Sequence, residues 1–176
     1  DDLIHYPKLD KDGARYAQWK GIESITGGQI LQQFREDVAQ MGVPVYTPHT
    51  GQRYTIGDAQ LEFLGTMDDT IHRSHNINAT SLMFMMELGG QRIFFTADGS
   101  FSDARLPERY GNELKADIMQ VPHHGFGCGD DDVQIQGFRL VAPRTCLLPV
   151  EFPIAYPSFT TYRPGTNYLM TRLGID

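Results

Sequence analysis

Cysteine is nearly absent from this sequence: Cys128 and Cys146 are the only two in 176 residues, and no CxxC spacing occurs. A disulfide framework or a thiolate zinc knuckle is therefore not what organises the chain; two free thiols is the reading, and the compartment stays open. No stretch approaches the ~18 consecutive apolar residues that span a bilayer. The start, Asp1-Asp2-Leu3-Ile4-His5-Tyr6, is neither an initiator methionine nor a signal peptide, so the chain reads as an excised piece or a processed product. Positive charge is short as well, with 15 Lys and Arg against 22 Asp and Glu for a formal net charge of −7. That sign argues against a broad footprint for nucleic acid or an anionic membrane. Arg and Lys interleaved with aromatics, the pattern of single-strand binders, is lacking too. Repeats, low-complexity tracts and Pro/Ser-rich linkers are missing, which predicts one domain over 1–176.

What is present is the material of a packed α/β domain: 40% hydrophobic and 21% charged residues. Ile30, Leu31, Phe34, Val38 and Met41 fall at helical spacing, with Thr26 as a possible N-cap and Gly42 as a stop. The spacing predicts an amphipathic helix whose apolar face meets a core. Val43–Tyr46 reads as a short strand. Gln52–Ile56 and Gln60–Leu64 about Gly57-Asp58-Ala59, and Ser81–Leu88 and Gln91–Thr96 about Gly89-Gly90, read as two hairpins. Met83 to Met86 make a nearly continuous apolar run, predicted to be covered on both faces. Ser102 or Asp103 is a possible cap for a short helix to about Tyr110, bent or shortened by Pro107. A strand at Asp117–Val121 follows, then a helix entered through Asp130-Asp131-Asp132 and ended by Pro143, a strand at Thr145–Val150, and a closing helix at Pro164–Leu173. The three aspartates lack the alternate ligands and closing Glu of a calcium loop.

Two short apolar runs each deliver ionisable groups just past their ends. Ile93-Phe94-Phe95-Thr96 leads to Asp98, and Ile118-Met119-Gln120-Val121 leads to Pro122-His123-His124-Gly125. A buried strand with a polar tip is how layered α/β proteins present catalytic or metal-binding groups at one sheet edge. Adjacent imidazoles on a chain leaving a strand point in different directions, so one can meet a metal or substrate while its neighbour orients it. From the residues alone, metal ligation, acid/base work and a structural polar network all remain open. Asp98 and one His are too few for a metal site on their own. The polar stretch 65–80, with Asp68, Asp69, His72, His75, Asn76 and Asn78, is where further groups would come from.

In order, Asn78-Ala79-Thr80-Ser81-Leu82, Phe94-Phe95-Thr96-Ala97-Asp98, Ala116-Asp117-Ile118 and Val121-Pro122-His123-His124-Gly125 resemble the second half of metallo-β-lactamase-fold hydrolases. The branch they look most like is that of DNA-uptake proteins and related phosphodiesterases, with its N-x-x-S-L, T-G-D and H-H-G elements. The resemblance implies the C-terminal half of a βα/αβ sandwich, a mixed sheet with helices on one face, and two zinc ions activating a water against an ester or phosphodiester. Carried over by position, Asp98 matches the carboxylate that bridges the metals, and His123 and His124 match the pair of which one is a ligand or contacts the scissile group. Asn78 stands near the place of a metal-binding His and is read as an amide facing the substrate. The resemblance implies catalytic roles for His123, His124 and Asn78 and metal ligation by Asp98 and His124. The departures are equally specific: H-x-H-x-D-H does not occur, and Tyr156-Pro157 stands where that branch carries His-Pro. The expectation is a C-terminal portion of a larger hydrolase, inactive by itself, whose partner is the missing N-terminal half. The alternative is a degenerate half-fold that binds another protein through the sheet face the missing half would cover.

Overall fold

The computed structural model describes residues 27–67, 77–125 and 132–149. The chain falls into two compact units, Asp1–Thr47 and Pro48–Asp176. In the first, helix α1 spans Gly27–Gln40. It ends as its sequence dictates: Gly42 adopts φ 64°, the Gly42 N–H bonds to the Ala39 carbonyl at 3.1 Å, and the Val43 N–H reaches Val38 at 3.0 Å. This is the paired-bond cap that a left-handed glycine permits. The apolar stripe behaves differently from expectation, because Phe34 and Met41 are 52% and 72% exposed. The described part of this unit is one helix and an extended segment, which offers no second layer to cover them. Val43–Tyr46 is not a strand. Pro44 supplies no N–H, and a strand exists only where another strand takes up its backbone groups.

The second unit is an α+β domain built on a mixed six-stranded sheet, ordered as in the sequence. Strands β1 (Arg53–Ile56), β2 (Ala59–Gly65), β3 (Met83–Leu88) and β4 (Gln91–Phe95) form an antiparallel meander. Gly89 and Gly90, at φ 59° and 76°, supply the positive angles that a two-residue turn with the twist of its strands requires. Strands β5 (Ile118–Gln120) and β6 (Thr145–Leu147) then add in parallel. A parallel neighbour needs a crossover. Helix α2 (Leu106–Tyr110) with the 3-10 turn Gly111–Leu114 lies in the first crossover, and α3 (Asp132–Val141) is the second. Helix α2 begins later than its capping residues suggest. Ser100 and Asp103 hydrogen-bond each other's backbone N–H in a turn of their own, and Pro107 is tolerated only in the first helical turn. The closing helix at Pro164–Leu173 lies outside the described residues.

The core forms on one sheet face, where Met83, Met85, Phe94 and Met119 meet Phe101, Leu106, Leu114, Phe138 and Val141 from the crossovers. The methionine run is covered on that side alone: Met83 and Met85 are buried, whereas Phe84 and Met86 are only partly so. Alternation, as in any strand, sends the second pair to the other face. There, Tyr54, Phe63, Phe84 and Phe95 form a row of ring contacts across four strands, with centroids 5.7, 5.8 and 4.8 Å apart. Ile56, Leu88 and Leu147, whose strand positions place them on the same side, are exposed.

Asp117 clamps the far end of the parallel strands. Its carboxylate accepts the Arg92 backbone N–H at 3.0 Å and the Arg144 guanidinium at 2.7 Å, and these bonds hold its pKa below the usual carboxylate range, the Arg92 contact most. Cys146 is a free thiol that burial pushes up to about 12, so it is inert as a nucleophile. Among the described residues no helix is long and apolar enough to cross a membrane.

Candidate functional site

The two strand tips converge. The β4–β5 ladder pairs Ile93 with Ile118 and Phe94 with Met119, so residues following Phe95 and Gln120 leave the sheet side by side. Beyond the ladder two further bonds hold the tips together: the Thr96 hydroxyl donates to the Gln120 carbonyl at 2.8 Å, and the His123 N–H donates to the Ala97 carbonyl at 3.0 Å. Gly99 closes the turn with its N–H on the Thr96 carbonyl at 3.2 Å. A Cβ on Gly99 would lie 2.0 Å from the Met83 methyl, 3.3 Å from Ser81 and 3.4 Å from the Asn78 carbonyl oxygen. Glycine thus leaves room for the end of the Met83 side chain beneath the Asp98 turn, and the 3-10 turn Ile77–Thr80 that carries Asn78 lies beside it.

All four residues singled out in the sequence belong to this cluster, in two pairs. His124 Nε2 stands 3.2 Å from Asp98 Oδ1, and His123 Nε2 stands 3.1 Å from Asn78 Nδ2. The imidazole rings are 6.4 Å apart and inclined by 54°. An amide nitrogen only donates, so in this contact the His123 Nε2 is the acceptor. His124 is oriented from behind, its Nδ1 donating to the Pro149 carbonyl at 2.6 Å. Its Nε2 therefore faces the carboxylate with either a second proton or a lone pair. Two acceptors cannot rest at 3.2 Å without a cation between them, whether a proton or a metal ion. Ligands at ~2.0 to 2.1 Å from a tetrahedral ion stand about 3.3 Å apart, so the spacing suits both. Donation of the rear nitrogen to a carbonyl is also how metal-binding imidazoles are generally held.

The backbone under these residues is strained. Ala97, His123 and His124 all lie in the left-handed region, at φ 49°, 47° and 53°. Each costs about 1 kcal/mol or more for a residue with a side chain. The Asp98–His124 pair is 40% and 44% exposed, and partly exposed ion pairs return about 0–1 kcal/mol. That pair is not alone in holding the strained residues: the Asn78–His123 and His124–Pro149 contacts and the His123–Ala97 backbone bond act on them as well. The same left-handed region is also occupied by Arg105 and Ala142, away from this cluster.

Among the described residues, no group of three or more His, Cys, Asp or Glu is placed to hold a metal. Asp68, Asp69, His72, His75, Asn76, Cys128 and Tyr156 lie outside them. His49 is exposed, its backbone N–H bonded to the Gln52 side chain. Sequence reasoning missed Thr96, Gly99 and Pro149. Of these only Thr96 left a signal, a hydroxyl at the inner end of an apolar strand. No family model and no curated protein matches the sequence.

Proposed function

We propose that this chain supplies part of the active centre of a zinc-dependent hydrolase of the metallo-β-lactamase type, acting on an ester or phosphodiester. The observation that carries the reading is Asp98 Oδ1 at 3.2 Å from a His124 Nε2 whose ring is aimed by the Pro149 carbonyl. Asp98 and His124 would hold the metal, with the remaining ligands coming from beyond the described residues. Zinc, when bound, supplies a hydroxide near neutral pH by acidifying a coordinated water. His124 is held with Nε2 toward the metal position by its rear hydrogen bond. Asn78 orients His123 through its 3.1 Å contact with Nε2, and the two would form a polar wall on the substrate side.

The test is zinc content by elemental analysis of the full-length protein, wild type against Asp98→Ala. A bridging ligand serves both metals, so its removal is expected to cut bound zinc to less than about half. Unchanged zinc in the variant removes Asp98 from the ligand set.

The aromatic row favours a second reading, a module that binds another protein layer through the sheet face that carries it. The partly buried rings of Phe63, Phe84 and Phe95, with Ile56, Leu88 and Leu147 exposed on the same side, are of the kind that a partner sheet or helix pair covers. Sedimentation equilibrium of this chain is expected to show self-association that Phe84→Lys reverses. A wild-type chain that stays monomeric at high micromolar concentration would count against this reading.

A further inference from the structure

We infer that Thr96 is a positioning residue, setting the separation of Asp98 and His124; the inference rests on the reading of those two side chains as a working pair. Thr96 is 1% exposed, and its hydroxyl donates to the Gln120 carbonyl at 2.8 Å. Gln120 is the last residue of β5, and Thr96 is the first beyond β4. The bond therefore lies past the last paired residues of the ladder, where the two chains are about to diverge into Ala97-Asp98 on one side and Pro122-His123-His124 on the other. The backbone of Thr96 works in the same sense, because its carbonyl accepts the Gly99 N–H that closes the turn under Asp98. The His123–Ala97 backbone bond at 3.0 Å is the second tether, and it joins two residues in left-handed strain. Strained residues relax when their surround loosens. Without the hydroxyl, the buried side-chain tether nearest the ladder is lost, and the His123–Ala97 bond between strained partners carries more of the spacing.

Removing the hydroxyl also leaves the Gln120 carbonyl short of a buried partner, which favours movement of that strand end toward water. A hydrophobic contact role predicts otherwise, since valine has nearly the shape of threonine and would fill the same space.

The test compares crystal structures of Thr96→Val and Thr96→Ser with the wild type, together with zinc affinity from competition against a chromophoric chelator, on the full-length protein. Thr96→Val is expected to open the Asp98–His124 separation by about 1 Å or more, a displacement of the size that disables preorganised sites. Thr96→Ser keeps the hydroxyl and is expected to keep the 3.2 Å spacing. Zinc affinity should fall about 10- to 100-fold in the valine variant, the range for groups that orient ligands, and recover with serine. Thr96→Ala, which removes the hydroxyl without added bulk, replaces valine if that variant does not fold. An unchanged separation in the variant lacking the hydroxyl overturns the inference. A changed separation in the variant lacking the hydroxyl, together with a wild-type protein that binds no zinc, sustains it while removing the hydrolase reading.

Discussion

Phe101→Ala is expected to destabilise the sheet unit by about 3–5 kcal/mol, a large share of the ~5–15 kcal/mol that holds a domain together. Phe101 is 1% exposed and joins the two crossovers to the sheet, its ring centroid 6.0 Å from Phe94 and 5.7 Å from Phe138. Its backbone is fixed too, the N–H donating to the buried Gln134 side chain at 3.0 Å. The same ring explains a glycine in the middle of α3. A Cβ on Gly137 would lie 2.3, 2.5 and 2.6 Å from three atoms of the Phe101 ring. Gly137→Ala gains about 1 kcal/mol in helix propensity and incurs about 1–3 kcal/mol of overpacking. With the ring enclosed the larger cost should win, so this variant too should be less stable than wild type. The double variant Phe101→Ala/Gly137→Ala should cost less than the two singles combined, since the truncated side chain no longer meets the new methyl. Urea unfolding of the four proteins measures all three statements. Additive losses would mean that Phe101 and Gly137 do not meet as described.

How far such features can be read from residues alone differs along the chain. The hairpins at Gly57-Asp58 and Gly89-Gly90 and the end of α1 at Gly42 were legible, because glycine permits angles that other residues resist, and apolar alternation changes period beside it. Val43–Tyr46 was misread because strand character is a property of a pair of chains, and only one is written in any local window. The apolar stripe of α1 announced a buried face, yet Phe34 stands open; periodicity shows that a face exists without showing what meets it. At the site, the convergence of Asp98 with His123-His124 followed from two apolar runs ending in polar groups. Which histidine turns to Asp98 did not. That choice depends on left-handed angles at Ala97, His123 and His124, and the identity of a non-glycine residue does not announce the sign of its φ. Thr96 escaped for a related reason: a threonine in an apolar strand reads as ordinary β-propensity until its acceptor on the neighbouring strand is known.

The division of labour between the two histidines gives the sharpest test of the proposed chemistry. His124→Ala is expected to weaken zinc binding at least about 100-fold, the upper end of what loss of an orienting group costs. It should abolish hydrolysis of bis(p-nitrophenyl) phosphate, used as a phosphodiester probe. His123 stands apart from that contact, its Nε2 taken by Asn78 at 3.1 Å. His123→Ala is therefore expected to keep zinc within about 10-fold of wild type while lowering kcat/KM about 100-fold or more, the scale of a lost proton-transfer or orienting group. Asn78→Ala removes the partner of His123 Nε2 without removing the ring, so it should fall between wild type and His123→Ala in kcat/KM and leave zinc unchanged. A structural role for the cluster makes a different prediction: all three variants would lose activity in proportion to their stability, and zinc would not separate them. If His123→Ala lost the metal and His124→Ala retained it, the roles would be exchanged. The Asp98–His124 contact would then be an ion pair across which a proton, and not a metal, is shared.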